Sequence, residues 1–147
     1  MSDREGRRLC RPSSQEPELA TATKGTDLRL RALRGAITCD ENTKQEIEEK
    51  TQRLVKELLT RNELEHDDIV SVIFTATDDL TAEFPAAAAR GVGLGDIPLL
   101  CARELGIEGG KPMCIRLLVH CYTDRGRDEL HHVYLEGART LRDDLPE

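Results

Sequence analysis

Met113-Cys114-Ile115-Arg116-Leu117-Leu118-Val119-His120-Cys121-Tyr122 is the most apolar stretch of the sequence, and it carries an arginine near its middle. Ten residues of this kind, with β-branched side chains among them, predict a strand buried in a sheet. An unpaired charge at Arg116 would be very costly there. The guanidinium must therefore meet a carboxylate, supplied either by the protein or by a ligand, and the pattern alone leaves both readings open.

Working backwards, Gly109-Gly110 turns the chain, and Ile97 to Cys101 predicts a short strand running into Ala102-Arg103-Glu104. Glu104 leaves that strand three residues after Cys101 and is the expected acidic partner of a buried arginine. Cys101 itself is more simply a small core residue, with no histidine near it in sequence. Phe84-Pro85 followed by Ala86-Ala87-Ala88-Ala89-Arg90 predicts a short helix with proline at its first position. Gly91, Gly93 and Gly95 end it in a loop. This is no dinucleotide fingerprint, because a helix precedes the glycines and none clearly follows. Ile69 to Thr77, dense in β-branched residues, predicts another buried strand.

Further back, Ile47, Thr51, Leu54, Val55 and Leu58 keep helical spacing, predicting an amphipathic helix from Thr43 to about Arg61. Asn42 and Gln45 suit a capping box at its start. Leu28-Arg29-Leu30-Arg31 alternates strictly, predicting a strand with Arg29 and Arg31 in water and the even positions inward. Arg34 then falls on the inward face, which requires either a bulge near Gly35 or a guanidinium directed into the interior. Downstream of the central stretch, Asp128 to Glu136 reads as a helical turn and Ala138 to Leu141 as a last strand.

A chain of 147 residues and 16.4 kDa suits one domain. Residues 1–27 lack periodicity and read as a disordered extension, leaving 28–147 as the folded part. Strands and helices alternate only partly, so the expected class is α+β (mixed α/β) around a single mixed sheet. The 28 acidic residues outnumber the 21 basic ones, for a net charge of −7. That balance argues against nucleic acid and against anionic membranes as partners, and no apolar run approaches the roughly 18 residues of a membrane span. Five cysteines without a C-x-x-C spacing argue against a metal cluster or a disulfide framework and leave the reducing cytoplasm as the default compartment. His131-His132 reads as a surface pair, since adjacent side chains diverge, and Asp78-Asp79 and Asp143-Asp144 as turn and terminal acids. All but five of the basic residues are arginines, and Arg34, Arg90 and Arg116 stand beside apolar segments. Arginine suits planar, bidentate binding of carboxylates, so these three suggest a pocket for a small anion.

The stretch from about Leu30 to Leu145 resembles the monofunctional chorismate mutases of the small trimeric AroH class. The motifs that carry the resemblance are Arg34-Gly35-Ala36, Thr75-Ala76-Thr77-Asp78-Asp79-Leu80, Phe84-Pro85-Ala86 with Arg90, Pro98-x-x-Cys101-x-x-Glu104, Gly109-Gly110 with Cys114-Ile115-Arg116, and His132-Val133-Tyr134-Leu135-Glu136. Each is weak alone, but they occur in the right order over nearly all of the folded chain. The resemblance implies a homotrimer whose mixed sheets form a pseudo-barrel, with active sites in clefts between subunits. It implies chorismate as substrate and no cofactor or metal, because the rearrangement to prephenate is a unimolecular pericyclic shift.

Position by position, the resemblance puts Arg116 on the ether oxygen of the substrate and Arg34 on a carboxylate. It puts Glu104 and Cys101 at the ring hydroxyl, and Tyr134 on a carboxylate or closing the pocket. Arg90 and Phe84 would come from the adjoining subunit, and Leu141 and Arg142 from a C-terminal segment covering the ligand. Two departures stand out. Ala87 occupies a position where the family often has lysine, and the loop between Arg90 and Cys101 is slightly short. Two other functions fit a carboxylate pocket on such a fold: a non-catalytic trimeric binding module, and an imine deaminase. A pure binder would need the arginines but not Glu104, which favours the enzyme.

Overall fold

The computed structural model describes residues 27–142. The extension expected over residues 1–27 lies almost wholly outside that range, as do Cys10 and the Asp143-Asp144 pair. The strands are β1 (Arg29–Thr38), β2 (Ile69–Ala76), β3 (Leu99–Arg103), β4 (Cys114–Thr123) and β5 (Val133–Leu135), and the helices are α1 (Lys44–Arg61) and α2 (Pro85–Ala89). The strands form one mixed sheet in the order β3-β2-β4-β1-β5. The apolar stretch that opens the sequence reading is its middle strand, antiparallel to β1 on one side and β2 on the other. β3 and β5 add the two edges in parallel to β2 and β1. The fold is therefore α+β, and among the described residues no helix is long and apolar enough to cross a membrane.

The helices close one face of this sheet. Ile47, Leu54, Val55 and Leu58 of α1 are buried in one cluster with Leu33 and Ile37 of β1, Val72 and Phe74 of β2, and Ile115, Leu117 and Val119 of β4. Each such side chain contributes about 1.5–3 kcal/mol by leaving water. With few aromatic rings available, close approach substitutes for bulk. Gly35 sits where a Cβ would lie 3.1 Å from Leu54 Cδ1 and 3.1 Å from the Val133 carbonyl oxygen, so helix and sheet meet over bare backbone.

The cap of α1 differs from the expected one. Thr43 is the N-cap, its hydroxyl accepting from the Glu46 N–H, and Glu46 in turn accepts from the Asp40 N–H. Asn42 is instead used across the fold, accepting from the N–H groups of Thr81 and Ala82. At the other end the buried side chain of Asn62 donates to the carbonyls of Leu58 and His131 and accepts from the His131 N–H. It thereby fixes the approach to β5.

Four further expectations are corrected. First, the alternation of β1 is inverted: Leu33, Gly35 and Ile37 face the helices, while Leu30 is 54% exposed and Arg34 is exposed on the opposite face. Arg31, on the inward-facing register, is half-buried. Period-2 patterning cannot tell which face is covered when both carry apolar residues. Second, β1 pairs with β4 through Gly35 without a break, and the sheet's irregularity lies in β2, between Ile69 and Ser71. Third, the chain from Asp128 to Glu136 contains a short 3-10 turn at Arg127–Glu129 and then strand β5, rather than one helical turn. Fourth, Ala138 to Leu141 is part of a 3-10 segment, Glu136–Arg142, rather than a strand. The third strand also starts later than expected, at Leu99 rather than Ile97.

Candidate functional site

The sheet face away from the helices is lined by the opposite set of side chains on the same strands. Across its middle, Thr75 of β2 stands opposite Arg116 of β4, Arg116 opposite Ala36 of β1, and Ala36 opposite Tyr134 of β5. Arg34 and Ile73 both flank Leu118, one register step away. A cleft of about 300 Å³ opens here, lined by Arg34, Ile73, Thr75, Arg116, Leu118, Tyr134 and Arg142 among others. Four of the residues singled out from sequence, distant along the chain, share this one cavity.

The carboxylate demanded by Arg116 is Glu104. Parallel pairing of β3 with β2 carries the chain to the point where the Glu104 N–H donates to the Ala76 carbonyl. The side chain then accepts from the Thr75 hydroxyl, and its Oε1 lies 3.1 Å from Arg116 Nε. That Nε is buried without a well-directed hydrogen bond, so the contact is an ion pair in which the N–H is not aimed at the carboxylate. The Arg116 side chain nonetheless remains 42% exposed and Glu104 18%. The pair thus stands on the cleft wall rather than inside the core, and its charges are only partly screened.

Arg34 reaches the cleft from β1. It lies one residue before the first β1–β5 pair, Gly35 with Val133, and its backbone N–H donates to Nδ1 of His132 at 3.0 Å. Burial holds the His132 imidazole below its ordinary value of 6.5, with Arg34 and Arg142 adding to the effect. His131-His132 is therefore no surface pair: the backbone of His131 is engaged by Asn62 and the side chain of His132 by β1. The diverging directions were legible in sequence, whereas the partners were not. Tyr134 and Leu141 pack on a small cluster of Ala36, Cys114 and Ala138, which seats the C-terminal segment against the sheet. Burial pushes the Cys114 thiol up, and the Cys39 thiol, also buried, to about 12; at neutral pH both are thiols and serve as packing.

The other predicted residues lie elsewhere in the chain. Cys101 packs half-buried against the main core and, with Phe84, lines a larger hollow of about 580 Å³ at the ends of β2 and β3. Phe84 is 70% exposed there. Arg90 is exposed just beyond α2, where the chain makes a wide turn over Arg90–Leu94 that leaves helical geometry at Val92 and Gly93. Asp78 and Asp79 hold this end of the molecule: Asp78 pairs with Arg103 at 2.9 Å, and Asp79 accepts from the Met113 N–H.

The chain can now be set beside known proteins. The family described as chorismate mutase type I matches residues 30–145. The protein named chorismate mutase AroH from Thermus thermophilus is 44% identical over 117 residues, covering 79% of this chain and 96% of that one. Its counterpart from Bacillus subtilis is 38% identical over 119 residues, covering 80% and 94%. A solved chorismate mutase from Clostridium thermocellum superposes with a TM-score of 0.73 at 47% identity, covering 74% of this chain and 97% of that structure. On the match of fold, sequence and extent together, this chain belongs to the type I, AroH class of chorismate mutases.

Proposed function

We propose that the cleft lined by Arg34 and Arg116, with Glu104 paired to Arg116, is where the enzyme converts chorismate to prephenate, a step of phenylalanine and tyrosine biosynthesis. The observation that carries this assignment is a partly exposed guanidinium, Arg116, that shares one cavity with a second cation, Arg34, and is ion-paired with the carboxylate of Glu104. The reaction breaks an ether C–O bond while forming a C–C bond within one molecule. It calls for no nucleophile or electron carrier. What remains for the protein is to hold the compact chair-like conformer and to stabilise the charge that separates on the way.

Arg116 supports that task at the ether oxygen, where negative charge grows. Glu104 faces the ring, which becomes electron-poor, and meets its hydroxyl. Arg34 and Tyr134 take carboxylate oxygens of the dianionic substrate, and Arg142 and Leu141 cover it from the C-terminal segment. Cys101, Phe84 and Arg90 belong to the same reaction through assembly: in a homotrimer their surface forms the facing wall of a neighbour's cleft. The apolar exposure of Leu30, Leu100 and Tyr122, all on the uncovered face, supports such an assembly. Cytoplasmic residence fits the free thiols of Cys39, Cys101, Cys114 and Cys121.

The test is direct. Purified protein should consume chorismate without added metal or cofactor, read as decay of its ultraviolet absorbance, and Arg116→Ala should abolish most of that decay. Binding of chorismate without turnover by the wild type would instead make the cleft a sensor. A sizing column checks the assembly, since a monomer of full activity is incompatible with a shared site.

A further inference from the structure

We propose that His132 is a positioning residue of the cleft, holding Arg34 and Tyr134 in register through the hydrogen bond that its Nδ1 accepts from the Arg34 backbone N–H. The inference rests on the assignment of the cleft to chorismate and concerns a residue that touches no substrate. β5 is only three residues long and pairs with β1 at Gly35, Ala36 and Ile37 alone. Ahead of that short ladder the strands have no further backbone pairing, and the imidazole supplies the next acceptor at 3.0 Å. Tyr134 lies two residues beyond His132 and so stands on the same side of β5. The single bond therefore helps fix the spacing between two lining groups of the cleft that come from adjacent strands. Asn62, just past α1, secures the same segment by gripping the backbone of His131, so the stretch that carries the imidazole is held between the end of α1 and β1.

The geometry also dictates the tautomer. Nδ1 accepts, so the proton of the neutral ring resides on Nε2. Protonation would place an N–H against the Arg34 N–H and break the bond. The charged and titratable groups around the ring are Arg31 and Arg34 from β1, His120 from β4, Arg127 from the turn ahead of β5 and Arg142 from the C-terminal segment. Among the described residues, no carboxylate lines the hollow that His132 shares with Arg31, Ala32, His120 and Arg127. Burial first, and the charges of Arg34 and Arg142 second, favour the neutral ring that the hydrogen bond needs.

The experiment compares wild type, His132→Ala and His132→Asn in chorismate turnover from pH 5 to 8. Asparagine places an oxygen close to the position of Nδ1 and does not titrate in this range. His132→Ala should lose about tenfold in kcat/KM at pH 7.5, chiefly through KM, as expected of one lost hydrogen bond that seats a binding group. His132→Asn should recover to within about threefold and should lack an acid limb that wild type shows below pH 6.5. Nitrogen NMR of the wild-type imidazole should show the Nε2–H tautomer at pH 7. An Nδ1–H tautomer, or an acid limb that persists unchanged in His132→Asn, would overturn the proposal. So would an alanine variant with wild-type KM. If wild type itself leaves chorismate intact, it is the assignment of the cleft that fails, and the tautomer still reports on the hydrogen bond alone.

Discussion

Leu33 and Arg34 are neighbours in β1 and face opposite sides of one sheet. Leu33 is fully buried under α1; Arg34 is exposed in a cleft of charged groups. The same division runs through β4, where Leu117 and Val119 join the core while Arg116 and His120 do not. It runs through β2 as well, where Val72 and Phe74 are buried and Thr75 meets Glu104. On the proposed assignment one face serves stability and the other chemistry, and the alternation of the strands keeps the two apart by the thickness of a backbone. A substitution on one face should accordingly register in unfolding and a substitution on the other in turnover. Failure of that separation would show that the faces are coupled.

The hardest blow to the closed face is Phe74→Ala. It removes the largest fully buried side chain, and unfolding in urea should show a loss of about 3–5 kcal/mol. Under native conditions the folded fraction should still bind substrate. On the open face, Arg116→Ala should lower kcat by about 10²–10³, the scale of a lost oxyanion donor, equivalent to roughly 2.7–4 kcal/mol of barrier. Its urea midpoint should move far less than that of Phe74→Ala, because the guanidinium is 42% exposed. Comparable midpoint losses in both variants would mean that the Arg116–Glu104 pair is part of the fold's stability.

Gly35→Ala tests the boundary between the faces. The added methyl group would meet Leu54 Cδ1 and the Val133 carbonyl at 3.1 Å and Leu117 Cδ1 at 3.3 Å. The carbonyl is backbone and cannot rotate away, so β5 must shift. Overpacking of this kind costs about 1–3 kcal/mol. Because β5 carries Tyr134, this variant alone should show a moderate loss in both stability and KM. An unchanged KM would mean that β5 moves without disturbing the cleft.

How far these faces were readable from sequence follows the range of the signals. β4 and the need of Arg116 for a carboxylate were legible because ten contiguous residues state both. Glu104 was legible because strand β3 delivers it a fixed distance beyond Cys101. The facing of β1 was not: Leu28 and Leu30 alternate as core residues do, yet both are more than half exposed, since this face too carries apolar surface. β5 was not legible either. Three residues hold no periodicity, and its existence depends on parallel pairing with a strand about a hundred residues earlier. His132 was read as half of a surface pair for the same reason, its partner being 98 residues away. Local pattern reports elements, whereas the site consists of contacts between them.

The smallest expected effect concerns two histidines placed in opposite electrostatic settings. His132 borders the cations of the open face, whereas His66, at the far end of the sheet before β2, is bracketed by the carboxylates of Asp67 and Asp96 at 3.1 and 2.6 Å. Hydrogen bonds from Asp67 first and Asp96 second raise the His66 value above 6.5; burial and arginines lower that of His132. The consequences for stability have opposite signs. The contribution of His66 is fully present below pH 6.5 and is lost as pH rises through its folded value. The contribution of His132 holds above pH 6.5 and is lost as pH falls toward its folded value. Imidazole proton shifts followed from pH 5 to 9 should show the two titrating on either side of 6.5. Asp96→Asn should bring His66 part of the way back, since Asp67 remains, and should leave His132 where it was. A change in His132 on that substitution would require a path between the two ends of the sheet, and the separation of a stabilising region from a chemical one would no longer hold.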